Sequence, residues 1–331
     1  MNKMSIRKLF NLGLAVVAII AFTPSAHSQT AARYPSGPVK LIVPYAPGGL
    51  VDTIARQIGN ALSPGLGQPI VVENRPGAGG RLAASVVANA APDGQTLLFT
   101  TLATLTLSPL MPPKADFDVA RDFKPVMAVA KQSLYVAARD SLQANDLRDV
   151  VALVKREPNK LTYGSPGTGT EAHLVMARFA RNTGIDLLHI PYRGGGPAVT
   201  DIIAGRIDLV ALSEIALRPA LDSGKGKLLA TLDPVRVPNF PNVPSVVELG
   251  YPRDVYVPSV ALFGPSKLSD EVVTRWVNLA APLKTDAAFL KAMKDAGSEV
   301  SILGPAELGD LLNADRADWQ RLIDQLGIKA E

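Results

Sequence analysis

A chain of 331 residues, 47% of them hydrophobic, is long enough to bury a large core and to divide into two domains. It contains no cysteine, which excludes disulfides, thiol catalysis and cysteine-ligated metal, and its three histidines are too few for a histidine-rich metal site. The formal net charge of +4 falls to about +1 once Lys3, Arg7 and Lys8 are set aside, and no run of basic residues marks a surface for nucleic acid or membrane.

Those three cations precede an apolar run from Leu9 to Phe22, and Ala26-His27-Ser28 supplies small residues at the positions a signal peptidase reads. The pattern predicts a signal peptide over residues 1–28, cleaved after Ser28, because the apolar run is shorter than the ~20 residues needed to span a bilayer. The mature protein is expected to be exported and soluble. Export without disulfides suits the periplasm.

In chain order, Val39 to Val43 reads as a strand, and Val51, Ile54, Ala55, Ile58, Ala61 and Leu62 fall on one face of a following helix. Between them, Tyr45-Ala46-Pro47-Gly48-Gly49 leaves backbone amides uncovered at the positive end of the helix dipole, where an anion can sit. Alone, this loop is better read as an ordinary turn in which Asp52 caps and orients the helix. Ser63-Pro64-Gly65 is predicted to stop that helix. Pro69 to Glu73 reads as a second strand, Asn74 to Gly80 as a loop and Leu82 to Ala90 as a helix. Gly77-Ala78-Gly79 is part of a dinucleotide-binding pattern, but Leu82 stands where a third small residue is required. Thr96 to Thr100 is a strand whose carboxyl end carries the hydroxyls of Thr101 and Thr104, although threonines also simply favour strands.

The pattern restarts near Tyr135. Leu134 to Ala138 reads as a strand, Leu147 to Lys155 as a helix, and Leu161 to Tyr163 as a short strand opening into Gly164 to Thr170. Helix period resumes at Ala172 and runs to Ala180. Ser165, Thr168 and Thr170 add hydroxyls to the bare amides around Gly169. Glu171 follows Thr170 where a nucleotide-binding loop needs lysine, and the residues around Ser165 do not form a nucleophile elbow. His173 is better placed to fill the helix start or touch a bound anion than to serve Ser165 as a base. Asp186 to Ile190 reads as a strand, Pro191 to Gly196 as a loop containing Tyr192 and Arg193, and Pro197 opens a helix ending at Gly205. Ile207 to Leu212 is a further strand, and the Pro-rich segment from Asp233 to Pro244 an irregular connector. Val255 to Phe263 is read as a strand returning to the first domain, finished by helices over Glu271 to Leu283, Ala287 to Ala296 and Pro305 to Leu326.

Several of these stretches carry a resemblance: Tyr34-Pro35, Val43 to Asp52, Val72 to Gly80, Ala91-Pro92-Asp93-Gly94, Gly167 to Thr170 with His173, Pro191 to Gly194, and Val243-Pro244-Ser245. In that order they resemble the Bug family of periplasmic solute receptors, which serve tripartite tricarboxylate transporters. The resemblance spans nearly the whole mature chain, and Glu73 to Gly80 is its most specific part. It implies an α/β fold of the type II periplasmic binding-protein class. Residues 29–133 with 258–331 would form one domain and residues 134–257 the other, with the ligand in the cleft between them. It also implies that a ligand carboxylate is held largely by backbone amides and ordered waters from the loops matching Tyr45 to Asp52 and Ser165 to Thr170.

The expected site therefore comprises Tyr45, Ala46, Pro47, Gly48, Gly49, Asp52, Thr101, Thr104, Ser165, Thr168, Gly169, Thr170, His173, Tyr192 and Ser213, with no catalytic residue, metal or cofactor. The expected partners are a small organic carboxylate and integral-membrane transporter subunits, with no nucleic acid, and the protein is expected to be a monomer. Departures from the family pattern bear on the ligand. Many relatives have an Asp-Asn pair where this chain has Leu212-Ser213, and a Gly-Thr-x-Gly-x-His run where it has Thr100 to Leu105; Ser259 replaces a common aromatic. These changes point to an acid less polar than an amino acid or a citrate-like tricarboxylate. Two competing expectations are an exported serine hydrolase built on Ser165 and His173, and a ligand sensor for a two-component kinase.

Overall fold

The computed structural model describes residues 34–326 apart from Pro113, Asn159 and Arg193. The expected signal peptide and Arg193 lie outside the described residues. Among the described residues, no helix is long and apolar enough to cross a membrane.

Among the described residues, eleven strands form two mixed sheets: β1 (Val39–Val43), β2 (Ile70–Asn74), β3 (Thr96–Thr101), β4 (Phe123–Gln132), β5 (Leu134–Arg139), β6 (Thr162–Ser165), β7 (Leu188–Pro191), β8 (Leu209–Ser213), β9 (Gly226–Thr231), β10 (Ser259–Pro265) and β11 (Ser298–Leu303). The first sheet has the order β11-β4-β10-β3-β1-β2 and the second β7-β6-β8-β5-β9. In the first, β1 lies parallel to β2 and β3, while β10 is antiparallel to both β3 and β4. In the second, β6 is parallel to β7 and β8, and β5 is antiparallel to β8 and β9.

Both faces of each sheet are covered, which is why the central strands are unbroken apolar runs rather than alternating ones. Val39, Leu41 and Val43 of β1 pack into the core beneath the helices Leu50–Leu66, Asp270–Ala280 and Ala287–Asp295, while Ile42 points to the opposite core with Ala83, Ala84 and Val87. The same two-residue period divides β5, with Val136 and Ala138 on one face and Tyr135 and Ala137 on the other.

Sequence pattern and structure differ in informative places. Pro64 does not stop the first helix, which runs from Leu50 to Leu66 and ends at Gly67 with φ 81°. A proline this close to the end removes only one intrahelical hydrogen bond, and the Gly67 amide closes the turn on the Ser63 carbonyl at 3.0 Å. The returning strand begins only at Ser259, after a 3₁₀ turn over Pro252–Asp254. β4, β9 and β11 have no clear alternation: β9 and β11 are edge strands, and β4 carries register shifts against both neighbours.

The chain passes between the sheets with little slack. β4 leads through Ser133 directly into β5, and the segment after Asp254 leads back into β10. The helix Pro305–Leu326 straddles both sides: Leu308 packs in a core of the first sheet, whereas Trp319, Leu322 and Ile323 pack in a core of the second. The start of the described chain is clasped at the other end. Tyr34 donates its hydroxyl to the Gly94 carbonyl at 3.0 Å and accepts from the fully buried Trp276 indole at 2.7 Å. Trp276→Ala should remove this anchor and leave a core cavity, lowering stability by ~3–5 kcal/mol in urea unfolding; a loss below ~1 kcal/mol would show that the clasp carries little.

Candidate functional site

The carboxyl ends of the parallel strands in both sheets face one cavity of about 620 Å³, the position where open α/β sheets hold ligands. From the loop after β1 come Tyr45, Ala46, Pro47, Gly48 and Gly49, continuing into Leu50 and Val51 of the first helix. Thr101, Ala103, Thr104, Leu107 and Ser108 line the wall after β3, and Gly79 reaches it from the neighbouring loop. The second sheet supplies Pro166, Gly169, Thr170, Glu171 and Ala172 after β6, Gly194 to Pro197 after β7, and Leu212, Ser213 and Ala216 around the end of β8. Gln132 and Leu134 close the end where β4 passes into β5.

Four helices begin at this cavity: Leu50–Leu66, Glu171–Thr183, Gly195–Ile203 and Glu214–Asp222. Gly49, Gly194 and Ser213 provide no side-chain cap, so three of these starts leave their first amides uncovered by a capping side chain. Each helix start carries roughly half a positive charge. Their convergence makes the cavity a field for an anion without any cationic side chain being needed.

Five of the expected residues do not line this surface, and four of them stand behind it. Asp52 is buried and ties down the first loop: its carboxylate accepts from the Gly48 amide at 2.9 Å, from Arg56 at 2.9 and 3.0 Å, and from Asn74 at 2.9 Å. Burial alone would raise the Asp52 carboxyl, but these donors outweigh it and hold it below its ordinary value. The Gly48 amide is thereby occupied, which moves the donors available to an anion onto Gly49, Leu50 and Val51. Tyr192 donates to Asp201 at 2.7 Å, and Thr168 is exposed at its loop tip.

Ser165 and His173 are the remaining two, and they do not pair with each other. Ser165 is fully buried and shares a 2.7 Å hydrogen bond with His189 Nε2, while its hydroxyl also reaches the Gly167 carbonyl at 3.0 Å. His173 Nδ1 instead accepts the Gly169 amide at 3.1 Å, and its ring stacks on His189 at 4.0 Å between centroids, with Tyr163 beyond. The rings form a prop that holds the second loop in shape.

Across the cavity, hydroxyls link the two sheets. Tyr45 bonds to Thr101 at 2.9 Å and Thr104 at 3.3 Å, Thr100 bonds to Thr104 at 2.6 Å, and Thr101 donates to the Glu171 carboxyl at 2.6 Å. On the first sheet's side of the cavity, packing is so close that a Cβ on Gly80, at φ 90°, would come within 2.7 Å of Thr104. Among the described residues no cluster of acidic and histidine side chains could hold a metal ion.

Residues 54–328 match the tripartite tricarboxylate transporter family receptor. The chain belongs to that family. Protein BugT of Bordetella pertussis is 33% identical over 325 residues, covering 96% of this chain and 98% of BugT. Two solved structures from Rhodopseudomonas palustris share the fold. Rpa4515 with adipate has a TM-score of 0.84 at 28% identity, over 89% of this chain and 99% of that one; MatC with bound malate has 0.79 at 29%, over 88% and 100%. The architecture of this receptor is thus the two-sheet α/β fold of periplasmic binding proteins of this type.

The pattern of bare glycine loops pointed to two of the receptor's four helix starts. The helix expected to open at Pro197 begins two residues earlier, at Gly195, and only the start at Glu214 has no signal in the sequence, because no glycine precedes it. The neutral histidine prop is testable by titration. Burial, and then the neighbouring His189, push His173 down to about 4 from 6.5. The unfolded chain takes up this proton more readily than the fold does, so the ring's contribution to stability is complete above about pH 6.5 and is lost as the pH falls through about 4. NMR should find the His173 ring titrating near 4, and His173→Gln should flatten the loss of stability over that range; titration near 6.5 would contradict the prop.

Proposed function

We propose that this chain is a periplasmic solute receptor that captures a small carboxylate between two α/β domains and delivers it to a tripartite tricarboxylate-type membrane transporter. The observation that carries this reading is the convergence of four helix starts, three without side-chain caps, on one cavity. Hydrogen bonds from amides to a charged acceptor contribute ~1.5–3 kcal/mol each, so three or four supply the ~8 kcal/mol of a micromolar complex after ordering costs. The carboxylate-bound relatives, one holding adipate and the other malate, support the same ligand class. Domain boundaries at residues 133–134 and 257–258 agree with the two passages of chain between the sheets, with the last helix bracing both domains.

The apolar part of the lining selects the body of the ligand. Leu107, Leu134, Leu212, Ala103, Ala211 and Ala216 offer no partner to extra hydroxyl or amino groups. The ligand is therefore an acid with an apolar body, in preference to aspartate or citrate. The burial of Ser165 and its bond to His189 disfavour a hydrolase, because the hydroxyl does not line the cavity. Periplasmic location follows from the predicted leader and from the family, and delivery to a transporter is preferred to sensing because the matching family consists of transporter receptors.

Calorimetry of the mature protein against aliphatic carboxylates, aspartate and citrate should show the aliphatic acids binding most tightly; citrate or aspartate binding best would refute the apolar preference. Gly49 has φ −75°, compatible with proline, and its amide makes only a 3.4 Å contact with the Ala46 carbonyl. Gly49→Pro should therefore fold normally yet bind every carboxylate at least ~10-fold more weakly. Unchanged affinity would remove the first loop from the clamp.

A further inference from the structure

Given a carboxylate held by the helix starts, one side chain in the same cavity has the opposite character. Glu171 brings into the lining a carboxyl that accepts from Thr101. The titratable groups facing Glu171 offer it no positive charge: Tyr45 from the first loop through Thr101, Tyr256 from the segment entering β10, and Asp315 from the last helix. An ionised carboxylate repels a second one brought against it.

Resting on the carboxylate-receptor reading, we infer that Glu171 forms an acceptor subsite that restricts the ligand to one negative charge, admitting a neutral or hydroxyl-bearing far end and rejecting a second carboxylate. The helix starts stabilise the first carboxylate of any acid. A second carboxylate that reaches Glu171 in a cavity of about 620 Å³ meets a like charge. A hydroxyl in the same place donates to Glu171, and an apolar end rests on the leucines. In this respect the chain departs from the adipate- and malate-bound relatives, whose ligands are dicarboxylates.

The charge on the subsite varies with pH. Burial pushes Glu171 up to about 7, with Asp315 adding to the rise and the Thr101 and Tyr256 hydroxyls opposing it. Discrimination against dicarboxylates is therefore strongest above that value and weakens as Glu171 takes up a proton.

Calorimetry of the mature receptor with hexanoate, ω-hydroxyhexanoate and adipate, at roughly one pH unit either side of that value, tests this directly. On the alkaline side hexanoate and ω-hydroxyhexanoate should bind at least ~10-fold more tightly than adipate, and on the acidic side the gap should narrow. Glu171→Gln should close most of the gap and abolish its dependence on pH, while the pH comparison on the unaltered chain stands even if that variant folds poorly. Adipate binding as tightly as hexanoate on the alkaline side, or a gap that Glu171→Gln leaves intact, overturns the subsite while leaving the carboxylate reading in place. If none of the three acids binds at either pH, the carboxylate reading itself fails and the subsite with it.

Discussion

Everything at the site depends on like charges being brought together. Four helix starts on two sheets point their partial positive ends at one space; three have no side-chain cap, and of the first-turn carboxylates among those three, Asp52 is bonded to Arg56 and Glu214 to Arg218 and Asn239. Bringing such ends closer without an anion is unfavourable, whereas an anion between them turns mutual repulsion into shared attraction. Asp52 makes the first loop workable. By accepting from Gly48, Arg56 and Asn74 it fixes the loop while spending its own charge on the far side of the backbone.

The second layer consists of neutral groups doing what charges do elsewhere. His173 and His189 hold their loop as uncharged, stacked rings, and Tyr45 works through hydroxyls on Thr101 and Thr104. Burial keeps the histidines neutral and raises the tyrosine. Glu171 alone among these sits near its midpoint at neutral pH, so it is the member whose state responds to its surroundings.

Much of the architecture was legible because central strands such as Val39 to Val43 are apolar on both faces, and because Gly48, Gly49 and Gly169 mark loops where amides are bare. Edge strands such as Ser298–Leu303 were not, since one side of an edge strand needs no partner and its sequence is free to be polar. At the site, Ser165 and His173 invited a direct role because of their chemistry. Only packing shows that the serine belongs with His189 and that both rings stand behind the loop. In the sequence Glu171 only excludes a nucleotide loop; its place in the cavity depends on Thr101, 70 residues earlier. The family motifs divide in the same way. Tyr34 and Gly94 meet each other rather than a ligand, and Asn74 steadies the first loop by donating to the Tyr45 carbonyl.

The last helix gives the molecule a mechanical axis. Asp315 is bonded to Thr106 at 2.5 Å and to the Trp319 indole at 3.1 Å, with Trp319 seated in the second sheet's core, so this helix is riveted to both halves near its middle. β4, β5 and β10 lie on the same side of the sheets, while β2 and β7 form the opposite edges. Were one half to rotate against the other, the arm would be short at Gln132 and Leu134 and long at Gly49 and Gly194, so that a few degrees at the rivet would displace the glycine loops more than the floor of the cavity.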